Sequence, residues 1–126
     1  DSSPLNAITE ATRAALAREL GLPVYTGMKH WTPHIADAVA AARADGVTSY
    51  VGLVLAPHYS ALSIEGYHDQ LLQAIGDTAP LTFVDSWHLE PGFVELLADR
   101  IRGTDAHVVF TAHSLPARIL EGGRHH

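Results

Sequence analysis

A chain of 126 residues with 47% hydrophobic content suits one compact domain with a real core and is too short for two. The formal net charge is −6 and the eight Lys and Arg are scattered, so there is no basic patch for nucleic acid or an anionic membrane, and no apolar run approaches the roughly 20 residues of a membrane span. With no cysteine there is no disulfide framework. The opening residues lack a charged-then-apolar leader, and the expected location is cytoplasmic. The closing Arg124-His125-His126 reads as a purification-tag remnant, which leaves residues 1–123 as a single expected domain.

In chain order, Ser3 as N-cap and Pro4 at the first helical position open a helix on Leu5, Ile8, Leu16 and Leu20, closed by Gly21. Val24–Met28 follows as a strand candidate that delivers Lys29 and His30. Thr32-Pro33 repeats the cap-plus-proline signature, and Ile35, Val39 and Ala42 mark one face of a second helix that stops at Asp45-Gly46. Thr48–Leu55 is apolar almost throughout, as a strand covered on both faces should be, and it ends in Ala56-Pro57-His58-Tyr59-Ser60.

Ser63 is the expected cap of a third helix carrying Ile64, Tyr67, Leu71 and Ile75, with Gly76–Pro80 as a loop. Leu81–Ser86 makes another strand and ends in Trp87-His88. Glu90 and Pro91 start a fourth helix on Phe93, Leu97 and Ile101, which Gly103 terminates. The last strand, Ala106–Ala112, ends at His113. Helices alternating with short apolar strands predict an α/β fold, a four-stranded parallel sheet flanked by helices in the flavodoxin-like manner.

Each of these four strands is followed within a few residues by a histidine, at His30, His58, His88 and His113. In open α/β sheets ligands bind outside the carboxyl ends of the strands, so the four are expected to line one crevice. Neutral imidazoles there bind borderline divalent metals and exchange protons near pH 7. His34, His68 and His107 read as surface or packing residues. Other motifs are missing: no glycine-rich nucleotide cradle follows a strand, and Ser114 does not sit in a Gly-x-Ser-x-Gly elbow. Glu90 lies near that edge, and an N-cap role accounts for it.

Six blocks carry a resemblance. They are Ser3-Pro4-Leu5-Asn6-Ala7-Ile8-Thr9, Gly27-Met28-Lys29-His30-Trp31, Leu55-Ala56-Pro57-His58-Tyr59-Ser60, Ser86-Trp87, Pro91-Gly92-Phe93 and Thr111-Ala112-His113-Ser114-Leu115-Pro116. In this order they resemble ferrochelatase, the chelatase that inserts Fe²⁺ into a porphyrin in heme synthesis. The resemblance implies that His113 is the catalytic and metal-binding histidine, and that Ser3 and Tyr67 contact the porphyrin. His30, His58, Tyr59 and His88 are the further expected substrate contacts. Fe²⁺ enters as a substrate, and no organic cofactor is implied.

The family usually has two similar α/β domains with the porphyrin between them. Against that pattern the chain reads as a fragment or an engineered half, lacking the opening strand and the glutamate that faces the histidine. A symmetric homodimer would supply the second wall of a cleft. The same pattern leads to the expectation that Ala106–Ala112 inserts between the Val24 and Thr48 strands, filling the place of the missing strand. The rival reading from another class is a non-catalytic flavodoxin-like module that binds a small anion or a protein partner at the same edge.

Overall fold

The computed structural model describes residues 4–111, which fall into two compact units: residues 4–52 with Tyr67–Thr82, and Leu53–Gly66 with residues 83–111. Among the described residues the order is α1 (Leu5–Leu20), α2 (Ile35–Ala44), β1 (Tyr50–Leu53), a π-helical turn (Ala61–Glu65), α3 (Gly66–Ile75), a 3-10 turn (Gly76–Thr78), β2 (Leu81–Val84) and α4 (Pro91–Ile101). β1 and β2 are neighbours in a two-stranded parallel sheet.

In the first unit, α1 ends where the sequence says it should. Gly21 takes a left-handed φ of 63° and its N–H bonds to the Ala17 carbonyl, closing the helix with the one residue that has no Cβ to strain. The segment after it is not the strand that its apolar content predicts. Residues 24–28 run irregularly, joined to the chain ahead by a single parallel bridge, Met28 to His34, with the Met28 N–H donating to the Pro33 carbonyl at 2.8 Å. The Arg13 guanidinium holds the Val24 carbonyl at 3.1 Å, so a helix side chain takes an acceptor that a neighbouring strand would have taken.

α2 starts at Ile35, two residues later than the Thr32-Pro33 pair suggests. His34 is the N-cap, and its N–H donates to Asp37 Oδ2 at 2.9 Å, the carboxylate reaching back across the first turn. Ile35, Val39 and Ala42 are the buried face, as the spacing predicts, and Ile75 of α3 completes the buried apolar set of this unit. At the far ends of α2 and α3, Arg43 Nη2 donates to the carbonyls of Ala74 (3.1 Å) and Ile75 (2.6 Å) and to Thr78 Oγ1 (3.0 Å). A cation on the last carbonyls of α3 satisfies acceptors the helix itself leaves open and complements its negative end.

In the second unit the cap of the third helical segment is Ser60, not Ser63. Ser60 is buried and its Oγ accepts from Ser63 N at 3.2 Å, so the helix opens three residues early through a π-helical turn before α3 begins at Gly66. Ile64 is the fully buried side chain of that turn. α4 opens at Pro91 with Glu90 as N-cap, and the chain turns away at Gly103, whose φ is 76°. The Phe93, Leu97 and Ile101 stripe is present on α4, but no residue of this helix is buried among the described residues.

Among the described residues two strands are found where four were expected. Residues 106–111 pair with no strand and are exposed, Val109 by 81% and Phe110 by 84%. The expected insertion of this segment beside β1 is therefore not what the structure shows. β1 itself is covered on one face only: Tyr50 and Gly52 turn inward, while Val51 is 73% exposed and Leu53 43%. Successive side chains of a strand face opposite ways, so an apolar run alone does not reveal whether both faces have been given a cover.

Candidate functional site

Two loops carry the candidate chemistry of the second unit, one following β1 and one following β2, both at the carboxyl ends of the strands. They are fastened to each other through Trp87. Its indole N–H donates to the Val54 carbonyl at 2.8 Å, its backbone N–H donates to the Pro57 carbonyl at 2.9 Å, and its ring meets the Phe93 ring edge-on at 4.9 Å. Glu90 N–H bonds back to the Trp87 carbonyl at 3.1 Å, which closes the second loop into the first turn of α4. An aromatic with one polar atom suits such a fastening, because the ring fills apolar space while the N–H finds a carbonyl.

This fastening sets His58 beside His88, with ring centres 4.8 Å apart and planes tilted by 31°. His58 is exposed and His88 half-buried. Ser86 supports the second ring: its Oγ lies 2.8 Å from His88 Nδ1 and 3.4 Å from the Pro57 carbonyl, to which its hydroxyl donates. Tyr59, next to His58, donates its phenol O–H to Glu65 Oε1 at 2.7 Å.

Of the other expected site residues, His30 and Tyr67 belong to the first unit. His30 is exposed, and the Tyr67 ring lies under the Lys29 ammonium at 5.4 Å from its centre, a cation–π contact. Ser3 and His113, the residues on which the resemblance leans most, lie outside the described residues. Of the four strand-end histidines, His58 and His88 are neighbours within the second unit. Among the described residues no group of three or more His, Asp or Glu side chains gathers as a metal site.

The sequence alone does not single out Ser86, Trp87 and Lys29 as working residues. Ser86, Trp87 and Lys29 are visible there only as members of family-like blocks. A polar residue two positions before a strand-end histidine is the available signal for Ser86.

The sequence model of the ferrochelatase family, described as Ferrochelatase, matches residues 1–126. The chain is 37% identical over 139 residues to the ferrochelatase of Deinococcus radiodurans, covering 96% of this chain and 44% of the relative. It is 38% identical over 140 residues to the ferrochelatase of Herpetosiphon aurantiacus, covering 96% of this chain and 46% of that protein. The coproporphyrin III ferrochelatase of Bacillus subtilis is 36% identical over 140 residues, with 96% of this chain and 45% of the relative covered. The chain therefore spans a little under half the length of the curated relatives it matches.

Proposed function

Because this chain belongs to the ferrochelatase family, we propose that it forms part of a porphyrin metal chelatase that inserts Fe²⁺ into the macrocycle in heme synthesis. The structural observation that supports the reading is the fastening of the two strand-end loops by Trp87, which sets His58 beside His88 outside the carboxyl ends of the strands.

Metalation removes two pyrrole protons, takes a metal out of its water shell and holds the ring so that the nitrogen lone pairs meet the ion. His113 is the residue assigned to proton acceptance and metal contact: a neutral imidazole serves as a base near pH 7 and as a ligand for borderline divalent ions. Ser3, His30, His58, Tyr59, Tyr67 and His88 are assigned to the macrocycle. The porphyrin carries carboxylates at its rim, and the Lys29 ammonium, 5.4 Å from the centre of the Tyr67 ring, is a cation of the kind that pairs with them. Positioning on a rigid wall is where such a reaction gains rate, and a wall on each face of the ring confines it better than one. A homodimer supplies the second wall with a second His113. The reading places the protein in the cytoplasm.

The names of the Bacillus and Listeria relatives make coproporphyrin III the first porphyrin to add, with protoporphyrin beside it. The expected result is a saturable shift of the Soret band on adding the chain, followed by metalation when a divalent ion is supplied. His113→Ala should keep the porphyrin shift and lose metalation. No spectral change with either porphyrin at high protein concentration would overturn the proposal and favour a non-catalytic binding module.

A further inference from the structure

We propose that His58 and His88 form a two-imidazole site for one divalent transition-metal ion, separate from His113, with Ser86 as the positioning residue that sets the His88 tautomer. Ser86 Oγ lies 2.8 Å from His88 Nδ1 and 3.4 Å from the Pro57 carbonyl, a group that only accepts. The arrangement that uses both contacts has His88 Nδ1–H donating to Ser86 Oγ and the hydroxyl donating to the carbonyl, and this is the tautomer assigned to His88. A neutral imidazole protonated at Nδ1 carries its lone pair on Nε2, the arrangement in which a histidine ligates a metal while its other nitrogen is held by a hydrogen bond.

The second ring is at the right separation. At metal–nitrogen distances of about 2.0–2.1 Å, two imidazoles at adjacent positions of one ion have their centres about 5 Å apart. The rings of His58 and His88 stand 4.8 Å apart, and the 31° tilt means they are not stacked flat. The platform is pre-set, because Trp87 and Ser86 both tie the second loop to the Pro57 carbonyl, one residue before His58. Zn²⁺, Co²⁺ and Fe²⁺ are the class of ion that imidazole suits, and water fills the remaining positions in this open site. The site needs no porphyrin, so it stands or falls apart from the metalation reading.

The test is a Zn²⁺ titration of the full chain carrying His125→Ala and His126→Ala, followed by NMR of the histidine side chains. His58 and His88 should respond together, at one Zn²⁺ concentration and well before the surface residues His34 and His68. His88→Ala should weaken the response of His58 at least about tenfold, and His88→Gln should do the same in a chain whose other signals are unmoved. Ser86→Ala should weaken it by about tenfold or more. Nitrogen shifts of the zinc-free chain should show Nε2 of His88 unprotonated, a signature that a merely structural serine would not set. The inference is overturned if His58 and His88 respond at separate concentrations, if Ser86→Ala changes nothing, or if His88 carries its proton on Nε2. A porphyrin result of either kind leaves these outcomes distinct.

Discussion

At the scale of single residues, polar atoms at Trp87 and Tyr25 do what their rings alone would not. Trp87→Phe keeps an aromatic against Phe93 but removes the N–H that holds the Val54 carbonyl at 2.8 Å, so the two loops lose one of their ties. The expected loss is about 1 kcal/mol in urea unfolding, with a change in the His58 and His88 signals that an equally destabilising change elsewhere would not give. Tyr25 donates its phenol O–H to Asp45 Oδ2 at 2.7 Å, and that bond to a carboxylate raises the phenol above its ordinary value. A raised folded pKa means this contribution is fully present below the unfolded tyrosine value of about 10 and is lost as pH rises through the folded one. Tyr25→Phe should therefore remove the contribution at neutral pH and flatten the alkaline limb of stability against pH. A variant with an alkaline limb as steep as that of the parent chain would show that the bond plays no part in it.

At the scale of elements, close approach and capping decide where segments end. A Cβ on Gly27 would lie 2.8 Å from the Cα of Ile35, the first residue of α2, so Gly27→Ala must push backbone against backbone. A loss of roughly 1–3 kcal/mol is expected in thermal or urea unfolding, and a variant as stable as the parent would show that the segment yields freely. Arg43→Ala should cost about 1 kcal/mol by taking the guanidinium from the Ala74 and Ile75 carbonyls at the end of α3, the second of which keeps the Thr78 hydroxyl at 2.7 Å, with faster amide exchange in the last turn of that helix as its local signature. The helices were legible in the sequence to within a few residues because a helix satisfies its own backbone, and its stops, Gly21 and Gly103, act locally. The choice of Ser60 over Ser63 was not legible, since both serines stand three residues before a plausible turn. The strands were half legible for a different reason. Residues 48–55 and 81–86 have a partner in each other, whereas 24–28 and 106–111 are as apolar but pair with no strand, and β-propensity reports fitness for a sheet rather than the presence of a neighbour. The same limit governs the site: strand-end histidines could be ranked by position, yet the adjacency of His58 and His88 depends on the Trp87 tie between their loops.

At the scale of the whole molecule, the proposed second wall is supported by exposed apolar surface. The chain matches a little under half of relatives such as those of Deinococcus radiodurans and Bacillus subtilis, and its described residues leave apolar side chains uncovered, including Val51 and Leu53 on β1 and Val94 and Leu97 on α4. Such surface is costly in water at roughly 25 cal/mol per Å², and association is the ordinary way in which it is removed. If a second copy supplies the missing wall, mass in solution should be that of two chains, and its dependence on concentration should diminish when coproporphyrin III is added, because a ligand held by both copies stabilises the pair by mass action. Light scattering coupled to size exclusion, run with and without the porphyrin, measures this directly. A single-chain mass under both conditions, with the Soret band nonetheless shifted, would mean that one wall suffices for binding and would remove the homodimer from the proposal. In that case His113→Ala should be tested for metalation by the monomer, and loss of activity there would assign the chemistry to one copy of the histidine alone.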